Sequence, residues 1–229
     1  MIGNHRAIGG SAIGLTAILA LSFSGAVVAQ DEMDCPEPPA EAIEVGAMVW
    51  DTSNPFYSNF IKGQEDAAAC YGVSLDLQNG QADLATEVAV IQQFIAQGKD
   101  AIIVTPSDVE GIVPVVIEAN NAGIPVFAAN NRIGEGAEVV SFIGANDVEF
   151  GRVQGQMLVD AVGEEAKVGL LLGRLGTSAQ LLREEGLNEF LADYPGIEII
   201  EKQTHNWTAQ EALALTQDWL SKYGEGEID

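Results

Sequence analysis

The sequence predicts an α/β fold of doubly wound parallel sheets, in which strands alternate with helices that cover both faces. Short apolar runs of strand length alternate with segments whose apolar residues recur at helical spacing. Glycine or proline stands at most junctions, as in Gly123-Ile124-Pro125 and Pro195-Gly196. Because a crossover helix between two strands lets both run in the same direction, this alternation is typical of parallel sheets.

The first part of the predicted fold contains five strands and three helices. Segment 84–96 carries Ile91 and Ile95 on one helical face, whereas 101–104 is a continuous apolar run of strand length. In chain order the predicted elements are strand 43–50, helix 55–69, strand 73–77, helix 84–96, strand 101–104, helix 112–122, strand 124–129 and strand 139–143. Five strands suffice for a complete doubly wound N-terminal lobe, which we place at 43–145.

The second part repeats this rhythm with only two strands. Its predicted elements are helix 148–162, strand 168–172, helix 179–190, strand 197–200 and helix 209–220. Two parallel strands alone would leave an apolar edge unpaired, and the last residues have the pattern of a loop followed by the first step into another strand. We therefore expect 146–229 to be part of a C-terminal lobe that is incomplete in this copy of the chain.

The first 29 residues have the pattern of a secretory signal peptide. Residues 1–6 contain one Arg and no acidic residue, an apolar run continues to Val28, and small residues precede position 30. A membrane anchor is the alternative, because the run approaches the ~20 residues that span a bilayer. Glycines within the run, and the acidic, proline-rich leader at 30–42, favour cleavage and export.

The charge of the chain is strongly acidic, with a formal net value of −24 at pH 7. A surface of this sign repels nucleic acid and anionic lipid, so neither is an expected partner. The acidic residues are interleaved with apolar segments along the whole chain, which is a pattern of folded, soluble proteins. Anionic ligands are disfavoured unless a local cation overrides the field.

The cysteine and histidine content restricts the possible cross-links and metal sites. Cys35 and Cys70 are the two cysteines, and in an exported chain they can form a disulfide, although two free thiols are equally compatible with the sequence. Their spacing does not match a zinc site, and His5 and His205 are the only histidines. We expect no bound metal.

Candidate binding residues follow the predicted strands. In open parallel sheets, ligands bind beyond the carboxyl ends of the strands, where the winding reverses. The residues at these ends are Asn54, Phe56 and Tyr57 after the first strand, Asn131 and Arg132 after the fourth, Arg183 in the helix after the sixth, and Trp207 after the seventh. Aromatic faces pack on the C–H side of a sugar ring, and amides and guanidinium groups bind hydroxyls. The set therefore suits a neutral polyol, although each residue could alone serve as a turn or surface residue.

Signatures of cofactor binding and catalysis are missing from the sequence. The turn after the first strand has no G-x-G-x-x-G, and the chain contains neither a G-x-x-x-x-G-K-[ST] loop nor a G-x-S-x-G elbow. No pair of carboxylates stands out from the general acidity. We therefore expect a binding protein without a cofactor, and not an enzyme.

Residues 43–219 resemble the type I periplasmic binding proteins, in particular the ribose, galactose and xylose receptors of sugar importers. The motifs that carry the resemblance are Ser53-Asn54-Pro55-Phe56-Tyr57, Thr105-Pro106-Ser107-Asp108, Gly123-Ile124-Pro125-Val126, Gly144-Ala145-Asn146-Asp147 with Gly151, and Gly176-Thr177-Ser178-Ala179 with Arg183-Glu184-Glu185-Gly186. Each motif is weak alone, but their order and spacing together are specific.

The resemblance implies roles for the residues of the first lobe. In that family the aromatic pair after the first strand packs on the sugar beside an Asn, and Asn54, Phe56 and Tyr57 match these positions. An Asp-Arg pair after the fourth strand grips ring hydroxyls, and Asn131-Arg132 resembles it. Here Asn replaces Asp and the loop is one residue longer, which is a departure from a ribose site.

The resemblance also implies the second side of the site and the mechanism. Arg183 matches an arginine of the second lobe, and Trp207 matches an aromatic residue that closes over the other sugar face. Further family ligands come from strands that this chain does not include, so we expect this copy to bind poorly. Such receptors are periplasmic monomers whose two lobes close around the solute and present it to an ABC permease.

Three other functions share features with this sequence. A receptor for chemotaxis or two-component sensing, including one for autoinducers, has the same fold and export signal. The sensor domain of a LacI-type repressor would need a DNA-binding segment at its N-terminus. This chain has a predicted signal peptide there, and its surface is acidic. An NAD-dependent enzyme of the same strand order would need the missing glycine fingerprint.

Overall fold

A computed structural model describes residues 35–224 and 226–229, and it confirms the predicted alternation of strands and helices. The elements are β1 (Ile43–Val49), α1 (Tyr57–Tyr71), β2 (Val73–Asn79), α2 (Leu84–Gln97), β3 (Ala101–Thr105), α3 (Val113–Asn121), β4 (Val126–Ala129), β5 (Ser141–Ile143), α4 (Asp147–Val162), β6 (Glu165–Leu172), α5 (Ser178–Leu191), β7 (Gly196–Thr204) and α6 (Ala209–Lys222). β6 and β7 are longer than predicted. The predicted signal peptide at 1–29 lies outside the described residues.

The strands form two parallel sheets. β1 to β5 form a five-stranded sheet of order β2-β1-β3-β4-β5, and β6 pairs with β7 in a second sheet. In the first sheet, Val45 of β1 pairs with Leu75 on one side and with Ala101 on the other. We call the first sheet with α1 to α3 the first half, and the second sheet with α4 to α6 the second half. The winding reverses between β1 and β3, so a crevice is expected at the carboxyl ends of these strands.

The core of the first half lies between its sheet and helices α2 and α3. Met48, Phe94, Ile102 and Val116 are all 0% exposed. Gly46 allows Phe94 to pack directly on β1, because a Cβ added at Gly46 would lie 2.6 Å from the aromatic ring. The packing fixes the strand ends that border the crevice.

Helices α4 and α5 of the second half pack through glycines. A Cβ at Gly151 would lie 2.0 Å from the carbonyl oxygen of Arg183, and a Cβ at Gly186 would lie 1.9 Å from that of Val148. No side chain fits at these distances, so both positions require glycine for the backbones to approach. The contact brings the start of α4 beside Arg183 on α5.

A disulfide links the leader to the first half. Cys35 and Cys70 form a disulfide, with their Cα atoms 5.1 Å apart. The possible disulfide is therefore confirmed, and the alternative of two free thiols is wrong. Pro38 of the leader packs against Gly72, where an added Cβ would lie 2.6 Å from the proline Cβ. The leader is therefore attached to the end of α1 by a covalent bond and by packing.

The last residues of the chain run beside β6. The backbone N–H of Asp229 donates to the carbonyl oxygen of Lys167 over 2.9 Å, and the N–H of Lys167 donates to the Asp229 carboxylate over 2.8 Å. These bonds agree with the predicted first step into another strand. Within residues 35–224 and 226–229, no helix has the length and apolar character that a membrane span needs.

Candidate functional site

A cavity of about 200 Å³ lies between the two halves at the carboxyl ends of the strands. Its position is that expected for a ligand site in a doubly wound sheet. The lining residues are Trp50, Asn54, Phe56, Tyr57, Asn130, Asn131, Ala179, Arg183 and Trp207. The structure thus brings six of the seven predicted residues together, and Arg132 lies outside the lining set.

The segment between β1 and α1 provides one wall of the cavity. The Asn54 side-chain oxygen accepts a hydrogen bond from the N–H of Phe56 over 3.0 Å, so it closes the turn and leaves its NH₂ group for other partners. Phe56 is 64% exposed, whereas Tyr57 is 3% exposed. The two consecutive aromatic residues therefore face different surroundings, and both border the cavity.

The Tyr57 hydroxyl is at the centre of a small hydrogen-bond network. The Trp50 indole N–H and the Asn130 side-chain NH₂ both donate to it, the latter over 3.0 Å. Burial raises the pKa of Tyr57 to about 12, although both hydrogen bonds act to lower it. The phenol is neutral at physiological pH, and since its oxygen accepts twice, its own hydrogen is available to an acceptor in the cavity.

The three polar residues in the loop after β4 have different surroundings. Asn130 adopts a left-handed conformation with φ of 60°, which asparagine tolerates better than most residues, and it points toward Tyr57. Asn131 is 3% exposed and donates from its side-chain NH₂ to the Pro106 carbonyl over 2.8 Å. Arg132 turns away and stacks on Phe142, with its guanidinium carbon 4.0 Å from the ring centroid. The two asparagines, not the arginine, line the cavity.

Arg183 enters the cavity from the second half. Its Nε–H donates over 2.8 Å to the carboxylate of Asp147, which is 2% exposed. Its guanidinium carbon also lies 4.4 Å from the Phe150 ring centroid and 5.6 Å from the Trp207 ring centroid. The ion pair and the two rings fix the plane of the guanidinium group and compensate its charge.

The position of the Trp207 ring depends on a neighbouring glycine. Its backbone φ is 61°, a value that few tryptophans adopt. A Cβ at Gly173 would lie 2.0 Å from the indole ring, so the ring occupies space that a side chain would need. Trp207 packs against the cluster of Val49, Trp50 and Tyr57 from the first half. The indole therefore joins the two halves across the cavity.

Hydrogen bonds also join the two halves beside the cavity. The N–H of Val109 donates to the carbonyl oxygen of Gly176 over 3.0 Å. The N–H of Arg132 donates to the Ser178 hydroxyl over 2.8 Å. Arg132 thus contributes to the site through its backbone, which holds the loop after β4 against the start of α5.

Sequence reasoning missed three lining residues. Trp50 was assigned to the apolar run of β1, although its place at the carboxyl end of the strand was a signal for the site. Asn130 stands next to Asn131, and only the left-handed turn decides that both reach the cavity. Ala179 carries no chemical signal in the sequence.

The lining determines the type of ligand that the cavity can hold. It combines aromatic faces, three side-chain amides, one phenol and one charge-compensated guanidinium, and it contains no carboxylate. Amides and hydroxyls donate as well as accept, which suits an uncharged compound with several hydroxyl groups. Within the described part of the chain, no group of three or more His, Cys, Asp or Glu side chains could hold a metal ion.

Known proteins resemble this chain in sequence and in structure. A family described as periplasmic binding protein domain matches residues 45–229. The xylitol-binding protein of Mycolicibacterium smegmatis is 31% identical over 180 residues, which are 79% of this chain and 51% of that protein. The ribose import binding protein of Escherichia coli is 29% identical over 179 residues, or 78% of this chain and 60% of that protein.

Solved structures show the same likeness. The Caulobacter myo-inositol binding protein, bound to myo-inositol, superposes with a TM-score of 0.76 at 27% identity, covering 81% of this chain and 63% of that one. The binding protein of the arabinose ABC transporter from Shewanella sp. ANA-3, bound to L-arabinofuranose, gives a TM-score of 0.74 at 28% identity, with 78% and 60% covered. The chain thus spans about half to two thirds of the length of these relatives.

Proposed function

Because this chain belongs to the periplasmic binding protein family, we propose that it is a solute-binding component of an ABC importer. In this function it binds a monosaccharide or related polyol in the cavity between two lobes and delivers it to a permease in the inner membrane. The lobes are residues 43–145 and 146–229. They follow a signal peptide at 1–29 and a leader at 30–42, so the protein is periplasmic.

The lining of the cavity is the observation that carries this proposal. Aromatic residues from both halves face one space of about 200 Å³ together with amides and one guanidinium group. In this arrangement Phe56 and Trp207 pack on the C–H faces of the ligand. Asn54, Asn131 and Arg183 bind its hydroxyls.

A ligand that contacts both halves stabilises the arrangement in which the halves are closed around it. Contacts from two sides are made fully only when the halves approach, so the ligand favours the closed arrangement. A closed receptor presents a surface to the permease that the open one lacks. The protein carries out no chemical step on the ligand and needs neither cofactor nor metal. We expect it to be a monomer without affinity for nucleic acid.

The ligand class follows from the polarity of the lining and from the relatives. Xylitol, ribose, myo-inositol and L-arabinofuranose are all uncharged and rich in hydroxyl groups, as are the ligands that an amide-rich lining favours. Asn131 stands in place of the carboxylate that the resemblance implies for a ribose site, which favours polyols other than ribose. A library for testing should therefore contain pentoses, hexoses, pentitols and inositols.

A thermal-shift screen tests the proposal on the mature protein in the longest form that its gene encodes. A ligand at 100 times its Kd stabilises the protein by about 2.7 kcal/mol, or roughly 5–10 °C in Tm for a chain of this size. We expect this rise with at least one neutral sugar or polyol. Arg183→Ala should abolish it, whereas Arg152→Ala, which removes a surface charge on α4, should retain it. A folded protein that responds to no member of the library would contradict the assignment.

Delivery to the permease needs a separate measurement. Uptake of the radiolabelled ligand by cells that lack the gene should fall to background and should recover when the gene is restored. Normal uptake in such cells, together with a lost chemotactic response to the same ligand, would indicate a sensory receptor instead.

A further inference from the structure

A second arginine of the second half reaches the first half outside the cavity. Arg174 lies in the loop between β6 and α5, and it is not among the residues that line the cavity. Its Nη2 donates over 2.9 Å to the carbonyl oxygen of Ala82, and its guanidinium carbon lies 5.5 Å from the Trp50 ring centroid. Arg174 therefore contacts the first half twice, once through a hydrogen bond and once through an aromatic ring that borders the cavity.

Arg174 contacts the loop between β2 and α2, whose backbone has an unusual conformation. Gln81 and Ala82 are consecutive residues with φ values of 56° and 54°, in the left-handed region that non-glycine residues rarely adopt. Asn79 stabilises the loop, because its side-chain oxygen accepts from the N–H of Gln81 over 2.9 Å. The N–H of Ala82 also donates to the carbonyl oxygen of Trp50. The loop and Trp50 are thus coupled to each other, and Arg174 contacts both.

The charges around this loop complement Arg174. Bonds from the side chain and backbone of Thr86 lower the pKa of Asp83, and the positive charge of Arg174 lowers it further. Burial raises the pKa of Glu87, an effect that Ser107 and Arg174 oppose. Two carboxyl groups at the start of α2 therefore attract the guanidinium toward the first half.

We propose that Arg174 is a positioning residue that slows the release of ligand by holding the two halves closed and by orienting Trp50. This proposal rests on the proposed function. The Val109–Gly176 bond between the halves involves only backbone atoms, so side-chain substitutions do not remove it directly. Arg174, in contrast, forms a side-chain contact that exists only while the halves are together. A contact of this kind stabilises the closed state without touching the ligand.

The effect of Arg174 should appear in the dissociation rate. In the longest form of the protein, with the ligand that gives the strongest thermal shift, Arg174→Ala should raise Kd about 5–30-fold. Stopped-flow mixing should assign this change to koff, with kon within about twofold of the unmodified protein, because Arg174 does not obstruct the open cavity. The Tm of the ligand-free protein should stay within about 1 °C, which a general loss of folding would not allow.

Two further variants make the test specific. Arg174→Lys keeps the charge and a hydrogen-bond donor but lacks the planar group that packs on Trp50, so it should give an intermediate koff. Arg152→Ala removes one positive charge from the same half, and its koff should be unchanged. Equal koff values for Arg174→Ala and the unmodified protein would overturn the proposal.

Failure of the proposed function would be distinguishable from failure of this inference. If the unmodified protein binds no sugar or polyol, the proposed function fails, and X-ray scattering of the ligand-free protein then tests Arg174 alone. Arg174→Ala should increase the radius of gyration, because the halves separate more often. An unchanged radius of gyration would overturn the role of Arg174.

Discussion

The two halves of the molecule contribute to the cavity in different ways. In the first half, core residues such as Met48, Phe94 and Ile102 are 0% exposed and support the strand ends directly. In the second half, the buried apolar residues keep between 6% and 9% of their surface exposed, as Leu187 and Trp219 do. Its cavity residues are positioned by close backbone contacts and an ion pair.

The difference in burial follows from the sheets, because two strands cover less apolar surface than five do. The means by which the side chains of the cavity are held also differ. The five-stranded sheet fixes Trp50 and Tyr57 through a dense core. The second half instead fixes Arg183 through Asp147 and Trp207 through the space at Gly173. Substitutions in the core of the first half should therefore act on global stability, whereas substitutions that displace Arg183 or Trp207 should act on affinity.

The largest expected effect is the loss of a core aromatic residue in the first half. Phe94→Ala removes a ring that is 0% exposed, and it should lower the free energy of unfolding by about 3–5 kcal/mol. Leu187→Ala in the second half should cost less, about 2 kcal/mol, because this side chain is smaller and 7% exposed. Urea denaturation measures both, with Leu213→Ala, a residue 60% exposed, as the control. Equal losses in the free energy of unfolding for Phe94→Ala and Leu187→Ala would contradict this difference between the halves.

The disulfide should give the next largest effect. It closes a loop of 35 residues, so replacing both cysteines by serine should lower the free energy of unfolding by about 2–4 kcal/mol. The same loss should follow when a reducing agent is added to the unmodified protein, and the double variant should not respond to that agent. Ligand affinity should change little, since neither cysteine lines the cavity. A large drop in affinity would show that the leader influences the site.

Gly173→Ala should act mainly on affinity. In Gly173→Ala, the added Cβ would occupy the space of the Trp207 ring, which must move out of its position. We expect Kd to rise about tenfold or more, measured by calorimetry, with the loss of one aromatic face of the site. Gly98→Ala serves as the control, because an added Cβ there meets no atom within 4 Å, although it strains the left-handed backbone. Unchanged affinity in Gly173→Ala would show that Trp207 does not contact the ligand.

The sequence was sufficient to predict the fold because each element carries its own local pattern. The alternation of strands and helices, the parallel sheets and the order of the two halves followed from apolar periodicity and from the glycine and proline residues at the junctions. The adjacent aromatic residues Phe56 and Tyr57 were also predicted at the crevice from their place after the first strand, and both line the cavity.

Features that depend on backbone dihedrals or on distant segments were not predictable. The left-handed conformation of Asn130 decides which side chains of the loop after β4 reach the cavity. Side-chain type alone does not determine this for Asn130, Asn131 and Arg132. The choice between a disulfide and two thiols at Cys35 depended on where the leader runs. The contact of Arg174 with Trp50 needed the relative placement of the two halves, which local patterns do not contain.

The smallest expected effect concerns a buried carboxyl group of the first half. Glu87 is 0% exposed, and one of its oxygens accepts from the N–H of Ser107 over 3.1 Å. Burial raises its pKa above the usual value of 4.5, so the folded protein holds this proton more tightly than the unfolded chain does. The stabilising contribution of the protonated group is therefore complete below pH 4.5 and is lost as the pH rises through the folded pKa.

A neutral isostere at this position should remove that pH dependence. Glu87→Gln retains an oxygen that can accept from Ser107 but cannot ionise, so its Tm should exceed that of the unmodified protein by an amount that grows between pH 4 and pH 7. Glu185→Gln, at an exposed site on α5, should show no such trend.

Because Arg174 attracts the ionised form of Glu87, combining Glu87→Gln with Arg174→Ala should reduce the affinity loss caused by Arg174→Ala alone. Strict additivity of the two substitutions would mean that the carboxyl group supports the first half only, and not the contact between the halves.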